Sequence, residues 1–391
     1  MLLRRAVIGG TVFLLVFGPV LLAGGGPGPA TAVVAPSGTA SGSGGGAPAR
    51  LTPWPPPSPI PTSARVPRTF TVVASGDVLL HSGLWRGAAV GRGFDFAPLF
   101  QDVAPVVRAA DLAICHLETP VAPRGGPFTG YPIFAVPPQI APALRRTGYD
   151  ACSTASNHSL DGGAAGVGRT LAALDAAGIR HTGTARSATE AARPTIYDVD
   201  GVRVAHVSYT FSFNGLVEPK DKPWLANELD VRALLREARK ARAAGAEFVV
   251  ASVHWGTEYA HEPDALQRRV AREVLSSPDV DLIVGHHAHV VQPFERIGGK
   301  WVAYGLGNHV SAQDFSRDTR DGVLARFTVR EVAPGRFRVV RAEALPTWMV
   351  VGGRPRVLDA ARCATNRDCR ASWRRTAATV NSRGAGAVIP R

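Results

Sequence analysis

Residues 280–289 read VDLIVGHHAH. Val280–Gly285 is a short apolar run that stops on glycine, and His286, His287 and His289 follow at once. A run of this length and β-branched content reads as a strand buried on both faces. Packing alone gives little reason to set three imidazoles at its end. The same grammar recurs along the chain. Thr69–Ser75, Asp111–His116, Ala151–Ala155, Val202–Tyr209, Glu247–His254 and Trp301–Tyr304 are further strand candidates. Between them, Ala97–Ala109, Pro138–Thr147, Gly163–Ala177, Val231–Ala244 and Asp264–Leu275 read as helices. Buried strands alternating with helices make an α/β layered fold. From Gly322 onward (GVLARFTVREV, then RFRVVRAEAL) the alternation is that of strands expected to complete a second sheet.

In such sheets, ligands bind beyond the carboxyl ends of the strands. Here the candidate strands end on Asp77, on His116-Leu117-Glu118, on Asn157-His158, on His254 and on the histidines after Gly285. Asp, Glu, Asn and His form a nitrogen and oxygen donor set suited to Zn, Mn or Fe rather than Ca. Each residue alone has a plainer use. Asp77 after Gly76 can cap a helix, and Asn157 and Asp161 are good cap residues. Glu118 before Thr119-Pro120 suits a solvated loop, and a single His254 suits a structural role. Their coincidence at one edge points to a divalent metal site of one or two ions. Among the other histidines, His206 reads as core, and His181 and His261 as bystanders. His81 and His309 stand at the margin of the proposed site.

The chain has 391 residues, 45% hydrophobic and 19% charged, which is too apolar for disorder and enough for one large domain or two ordinary ones. Net charge is +13, yet of 44 basic residues only Lys220, Lys222, Lys240 and Lys300 are lysines. With abundant Ala and Gly, that bias fits GC-rich coding, so charge alone does not argue for nucleic-acid binding. No RRM, zinc-finger or homeodomain pattern is present, and no nucleic-acid partner is expected. An anionic envelope polymer suits a basic exported protein equally well. The sequence also lacks a G-x-S-x-G elbow, a P-loop and a dinucleotide G-x-G-x-x-G in a suitable context, which disfavours serine catalysis, triphosphate chemistry and nicotinamide redox.

Residues 1–32 read as a signal peptide or N-terminal membrane anchor. Met1–Arg5 is basic, Ala6–Ala23 is uncharged, and Ala30-Thr31-Ala32 resembles a cleavage site. Cleavage and retention stay open, and no Cys follows the run, which excludes a lipoprotein. Residues 33–68 form a Gly/Pro/Ser/Ala-rich linker. The protein is therefore expected to be exported, secreted or membrane-anchored outside the cytoplasm. A folded domain is expected over 69–350 and an Arg-rich tail over 351–391, with Cys363 and Cys369 close enough for a small disulfide loop. Cys115 and Cys152 fall in separate buried strands and read as free packed thiols.

The order GDVLLH, HLETP, SNHSLDGGAAG, SVHWGTEY, GHHAHVVQ and YGLGNH resembles the poly-γ-glutamate capsule-synthesis (CapA) family over about residues 69–312. The resemblance implies a layered α/β/β/α sandwich like that of metallo-dependent phosphatases. Several positions depart from the family pattern. His116 stands where Asn is usual, Ser156 replaces the first of two Asn, Ala288 replaces Pro, and His309 replaces an aromatic residue. Val78 and Leu79 after Asp77 leave no D-x-H pair, so a second metal need not bind as it does in true metallophosphoesterases.

By that resemblance, Asp77, Glu118, Asn157, His254, His287 and His289 hold one or two metal ions. Glu118 lies near both ions, and His158 acts as proton donor or charge stabiliser. Glu258, Tyr259 and Asn308 contact substrate. The helix after Asp161-Gly162 offers its N-terminus to an anion. The expected role is synthesis, export or attachment of poly-γ-glutamate or a related anionic polymer, beside a membrane-bound synthase. An envelope metallophosphoesterase and a non-catalytic polymer-binding module are the alternatives.

Overall fold

The computed structural model describes residues 66–363 and 365–390. The expected signal peptide or anchor at 1–32 and most of the expected linker at 33–68 lie outside those residues. In the first strand, Thr69–Val78, everything from Val72 to Val78 is buried. A strand shows this only when both of its faces are covered.

In chain order the strands are β1 (Thr69–Val78), β2 (Ala89–Val90), β3 (Gly93–Phe94), β4 (Leu112–Leu117), β5 (Ala151–Ser153), β6 (Arg180–Thr182), β7 (Ile196–Val199) and β8 (Val202–Thr210). They continue as β9 (Phe248–His254), β10 (Leu282–His286), β11 (Phe294–Ile297), β12 (Lys300–Ala303), β13 (Asn308–Val310), β14 (Asp321–Ala333), β15 (Arg336–Val350) and β16 (Arg356–Asp359). The helices are α1 (Ser82–Gly87), α2 (Ala104–Arg108), α3 (Ile140–Thr147), α4 (Gly163–Ala176), α5 (Ala188–Ala191), α6 (Val231–Ala243), α7 (Ala265–Ser276) and α8 (Arg367–Val380).

One sheet runs β16-β15-β14-β1-β4-β5-β6, with β13 also beside β1, and the other runs β11-β12-β10-β9-β8-β7. Side-chain alternation along β1 explains the layers. Phe70, Val72 and Ala74 face Phe248, Val250 and Leu282 of the second sheet across a shared core. Val73 points the other way, onto Leu144 of α3 and Leu171 of α4. On the far side of the second sheet, Val249 and Ala251 pack against Leu234 of α6 and Val270 of α7. The result is an α/β/β/α sandwich.

Several elements differ from the sequence expectation. The β14–β15 hairpin does not complete the second sheet. It extends the first, because β14 pairs antiparallel with β1 from Thr69↔Arg330 to Ser75↔Leu324. The expected helix over Ala97–Ala109 is broken into a 3-10 turn at Ala97–Phe100 and the short α2. Pro98 and Pro105, each near the start of its piece, lack the N–H that a continuous helix needs. Cys115 and Cys152 are not free thiols. Parallel pairing of β4 with β5 sets them opposite each other, 4.4 Å apart at Cα, and they are disulfide-bonded. Cys363 and Cys369 are also bonded. The segment after residue 351 folds back onto the first sheet, where β16 pairs with β15, Ala344 N–H donates to the Val388 carbonyl and Val388 N–H donates to the Ala342 carbonyl. Arg68, placed at the end of the linker, already belongs to the fold. Its guanidinium pairs with Glu247 ahead of β9 at 2.6 Å and Glu331 on β14 at 2.9 Å, joining the two sheets.

At the opposite edge, Gly285 lets β10 approach the chain after β12. A Cβ there would lie 1.9 Å from the Tyr304 carbonyl oxygen and 2.7 Å from Trp255 Nε1. Gly285→Ala is therefore expected to destabilise the protein by about 3 kcal/mol or more, since the collision is with backbone and a fully buried indole. Thermal denaturation checks this, and an unchanged melting temperature would contradict it.

Candidate metal centre

Parallel pairing places the carboxyl ends of the central strands side by side. In the first sheet, Asp77 of β1 is in register with His116 of β4 and with Asn308 of β13. In the second, His254 of β9 is in register with His286 of β10. The turn after β10 carries His287 at φ 88° and His289 at φ 54°. Left-handed backbone is strained at residues with a bulky side chain and costs about 1–3 kcal/mol each. Two hydrogen bonds hold the turn: His287 N–H donates to Asp77 Oδ2 at 3.2 Å, and Tyr259 N–H to the Ala288 carbonyl at 2.8 Å. The strain aims both imidazoles back over the strand ends.

The side chains converge there. His289 Nδ1 lies 3.1 Å from Asp77 Oδ2 and 3.1 Å from Asn308 Oδ1. Both partners are acceptors, so Nδ1 donates and Nε2 faces Glu118 Oε1 at 3.8 Å. His286 Nδ1 is 3.4 Å from Asp77 Oδ1, and its ring stacks on His116 at 4.0 Å. His254 Nε2 lies 2.9 Å from Asn157 Oδ1 and 3.9 Å from Glu118 Oε1, and its Nδ1 is 3.0 Å from His116 Nε2. Donor atoms of Asp77, His116 and His254 fall within 4.8 Å of one another, as do those of Asp77, Glu118 and His289 and of Glu258, His287 and His289.

Burial governs the charges. It pushes the Glu118 carboxyl well above its ordinary range; Asp77 and Glu258 add to the rise while His289 opposes it. Burial acts the same way on Asp77, but His286 and His289 outweigh it and hold that carboxyl well below the usual value. Burial lowers His289 too, yet Glu118 and Asp77 reverse the effect and bring it to about 9. Burial pushes His116 and His254 well below the ordinary imidazole value, and His287 to about 3. The cluster thus sets two buried acids against rings that are mostly neutral.

That arrangement fits a divalent cation. Among the described residues, both Glu118 carboxylate oxygens, His286 Nε2 and His287 Nδ1 are buried with no hydrogen-bond partner. Orphaned buried acceptors are costly unless something positive meets them. Asp77, Glu118, His254, His287 and His289, with His116 and Glu258, are the groups that could hold such an ion, and Asn157 Oδ1 lies beside His254 Nε2 at 2.9 Å.

His158 sits beside this cluster. Its Nδ1 donates to Asp161 Oδ2 at 2.8 Å, and Phe134 N–H donates to the same oxygen at 2.7 Å. The Phe134 ring packs edge-on against the imidazole at 4.7 Å. Asp161 therefore orients His158 and does not cap α4, whose N-cap is Gly162 without a side-chain bond. Sequence reading gave Asp161 only the capping role, although its i+3 spacing from His158 was visible. It also left His116 and His286 out of the site set, although His116 lies two residues before Glu118 and His286 directly before His287.

Glu258 and Tyr259 are exposed at the mouth, where Gln313 Nε2 donates to the Tyr259 hydroxyl at 3.2 Å and the Phe315 ring meets that of Tyr259 edge-on at 5.0 Å. Glu258 reaches further in than expected, into ligand range of His287 and His289. Asn308, expected to contact substrate, is 1% exposed and occupied within the protein. Its Nδ2 donates to Gln313 Oε1 and the Thr319 carbonyl, both at 2.9 Å, while Oδ1 holds His289. His309 bonds the Tyr149 hydroxyl at 2.9 Å and packs near Phe100, away from the cluster. His206 is buried against Ser252, His181 pairs with Asp175, and His261 faces the Val291 carbonyl. His81 packs edge-on against Phe134 at 5.5 Å, beside His158.

Residues 71–313 match the family described as bacterial capsule synthesis protein PGA_cap. Over 247 residues the chain is 31% identical to the PGA biosynthesis protein CapA of Bacillus subtilis (strain 168), covering 62% of this chain and 63% of that one. Over 281 residues it is 29% identical to the capsule biosynthesis protein CapA of Bacillus anthracis, covering 69% and 66%. The chain thus spans just under two thirds of the length of these relatives. Among solved structures it is similar to the calcineurin-like phosphoesterase YfkN from Bacillus subtilis, with 15% identity and a TM-score of 0.44 over 80% of this chain and 97% of that one.

Adding Zn²⁺ or Mn²⁺ to the metal-stripped chain is expected to raise its melting temperature, by about 2.7 kcal/mol of stability at a hundredfold excess over Kd. A variant combining His254→Ala, His287→Ala and His289→Ala is expected to show no shift. Equal shifts in both proteins would place the metal elsewhere.

Proposed function

We propose that this chain, which belongs to the bacterial capsule synthesis protein family PGA_cap, carries a metal-dependent hydrolytic site serving the synthesis or attachment of an anionic envelope polymer of the poly-γ-glutamate class. The reading rests above all on one observation. Asp77, Glu118, Asn157, His254, His287 and His289 meet at one strand edge with acceptors turned on each other, and a tethered imidazole stands beside them. Relatives whose names tie them to capsule and PGA biosynthesis supply the polymer. The basic N-terminal stretch and the apolar run behind it support a place outside the cytoplasm, next to a membrane-bound polymer synthase.

A bound divalent ion supplies Lewis acidity and positive charge at the scissile group. The chain's own residues do the rest. Asp161 accepts the His158 Nδ1 proton and so leaves Nε2 as the free nitrogen of that ring. In the doubly protonated ring Nε2 carries the second proton and passes it to the leaving group as water adds to the scissile group and the bond breaks, leaving the ring neutral with Nδ1–H still on Asp161, help worth roughly 10²–10⁴-fold. Phe134 shields one side of the imidazole and keeps bulk water from the His158–Asp161 pair. Asn308 and Asp77 lock His289 through its Nδ1, which keeps the opposite nitrogen aimed at Glu118. Glu258, Tyr259 and Phe315 border the mouth through which a polymer segment enters. The scissile bond is an amide or a phosphate ester, the two groups such a centre polarises.

His158→Asn is expected to lower turnover about 10²–10⁴-fold while metal content stays at the wild-type level. Asp161→Asn is expected to lower it less, since the imidazole remains but loses its anchor. Poly-γ-glutamate and an aryl phosphate serve as the two substrates, with metal content measured on the same samples. Full turnover in His158→Asn on whichever substrate the wild type cleaves would remove His158 from the mechanism. No turnover by the metal-loaded wild type on either would favour a polymer-binding module.

A further inference from the structure

His116 and Ser153 take no part in the function proposed above, yet both are fully buried beneath it. Their hydrogen bonds form a chain that can run in either of two directions. In one of them Ser153 Oγ–H donates to the Cys115 carbonyl at 3.3 Å. His116 Nδ1, 2.8 Å from that same hydroxyl oxygen, then donates to it. In a neutral ring this leaves His116 Nε2 as an acceptor. Opposite it, at 3.0 Å, is His254 Nδ1, which must carry the next proton. His254 Nε2 is then left with a bare lone pair.

What faces that lone pair is unusual. Asn157 presents Oδ1 to it at 2.9 Å, because Asn157 Nδ2 is turned away to Asn214 Oδ1 at 3.2 Å. Glu118 Oε1 stands 3.9 Å from it, on a carboxyl whose two oxygens have no hydrogen-bond partner among the described residues. In this direction the His254 lone pair, Asn157 Oδ1 and Glu118 converge on one small region that a cation fills, whereas in the reverse direction His254 Nε2–H donates to Asn157 Oδ1 and closes it.

We propose that Ser153 and His116 form a relay that fixes His254 in its Nδ1–H tautomer and so reserves Nε2, with Asn157 Oδ1 and Glu118, for a divalent cation. The inference rests on the metal reading of this site and assigns the mechanism that aims one ligand. His116 is a positioning residue, and the relay excludes it as a ligand, although its nitrogen falls within range of Asp77 and His254. An imidazole acceptor here does what a carboxylate or carbonyl more often does behind a metal-bound histidine. It also gives a physical use to His116.

The test reads tautomers directly. Long-range ¹H–¹⁵N spectra of the full chain, labelled at histidine, are recorded metal-free and with Zn²⁺. The relay predicts Nδ1–H on both His116 and His254 in each state, with only His254 Nε2 of these two rings shifting on Zn²⁺ addition. An Nε2–H tautomer at His254, or a metal shift at His116, overturns the relay alone and leaves the metal reading standing. A wild-type chain that binds no Zn²⁺ overturns the cation half together with the functional reading, whatever the tautomer. Competition with a chromophoric chelator gives the affinities. His116→Leu is expected to weaken Zn²⁺ binding about 10–100-fold, with His116→Gln recovering most of the loss through its amide oxygen. Ser153→Ala disturbs packing least and is expected to weaken binding while the fold is kept. Wild-type affinity in both His116→Leu and Ser153→Ala would overturn the proposal.

Discussion

Asp77 and Glu118 are carboxylates taken wholly out of water at the edge where the two sheets meet, 0% and 1% exposed. Burying such groups costs several kcal/mol each unless positive charge faces them. Much of the local architecture answers that constraint. The parallel strands β1, β4, β9 and β10 end together, so their last residues share one volume. The strained turn at His287 and His289 folds backbone N–H and imidazole over Asp77. The Glu118 carboxylate receives no hydrogen bond from the described residues. Its unmet oxygens define what the site lacks, and a divalent cation supplies it.

Support for the edge comes from outside the strands that carry it. The C-terminal helix α8 sends Arg375 to Asp321 in a two-pronged pair, both contacts at 2.8 Å, and to Asp318 at 3.5 Å. Those acids bracket the end of the segment that carries Asn308, Gln313 and Phe315. Arg320 lies over the Trp348 ring at 4.2 Å, and Arg375 approaches the same ring at 5.6 Å. A helix read from sequence as part of an Arg-rich tail therefore braces the loop that locks His289 and forms part of the mouth. On this helix Arg375 serves structure, while Arg367, Arg370 and Arg374 are exposed.

Much of this was legible in the sequence because strand ends carry their own punctuation. Apolar runs stopping on Gly-His-His, Gly-Asp or Asn-His gave both the layered fold and the donors, since parallel strands align like ends. What sequence could not give was register. Cys115 and Cys152 look like separate buried thiols until β4 and β5 are paired in step. The β14–β15 hairpin has the alternation of any half-buried strands, and nothing local says which sheet it joins. Asp161 looked like a cap because it precedes a helix, and only the tertiary approach of His158 and Phe134 claims its oxygen. The family resemblance gave Asn308 a substrate contact. Its burial beneath the mouth follows from pairing of β13 with β1.

The central claim is that the strand edge around Asp77 and Glu118 is built for a divalent cation. Anomalous diffraction from crystals of the full chain grown with Zn²⁺ or Mn²⁺ tests it most directly. The account predicts a strong peak within about 2.0–2.3 Å of Glu118 and His254 Nε2. A well-ordered crystal with no peak at this edge, or with its peaks only at surface residues, would contradict it.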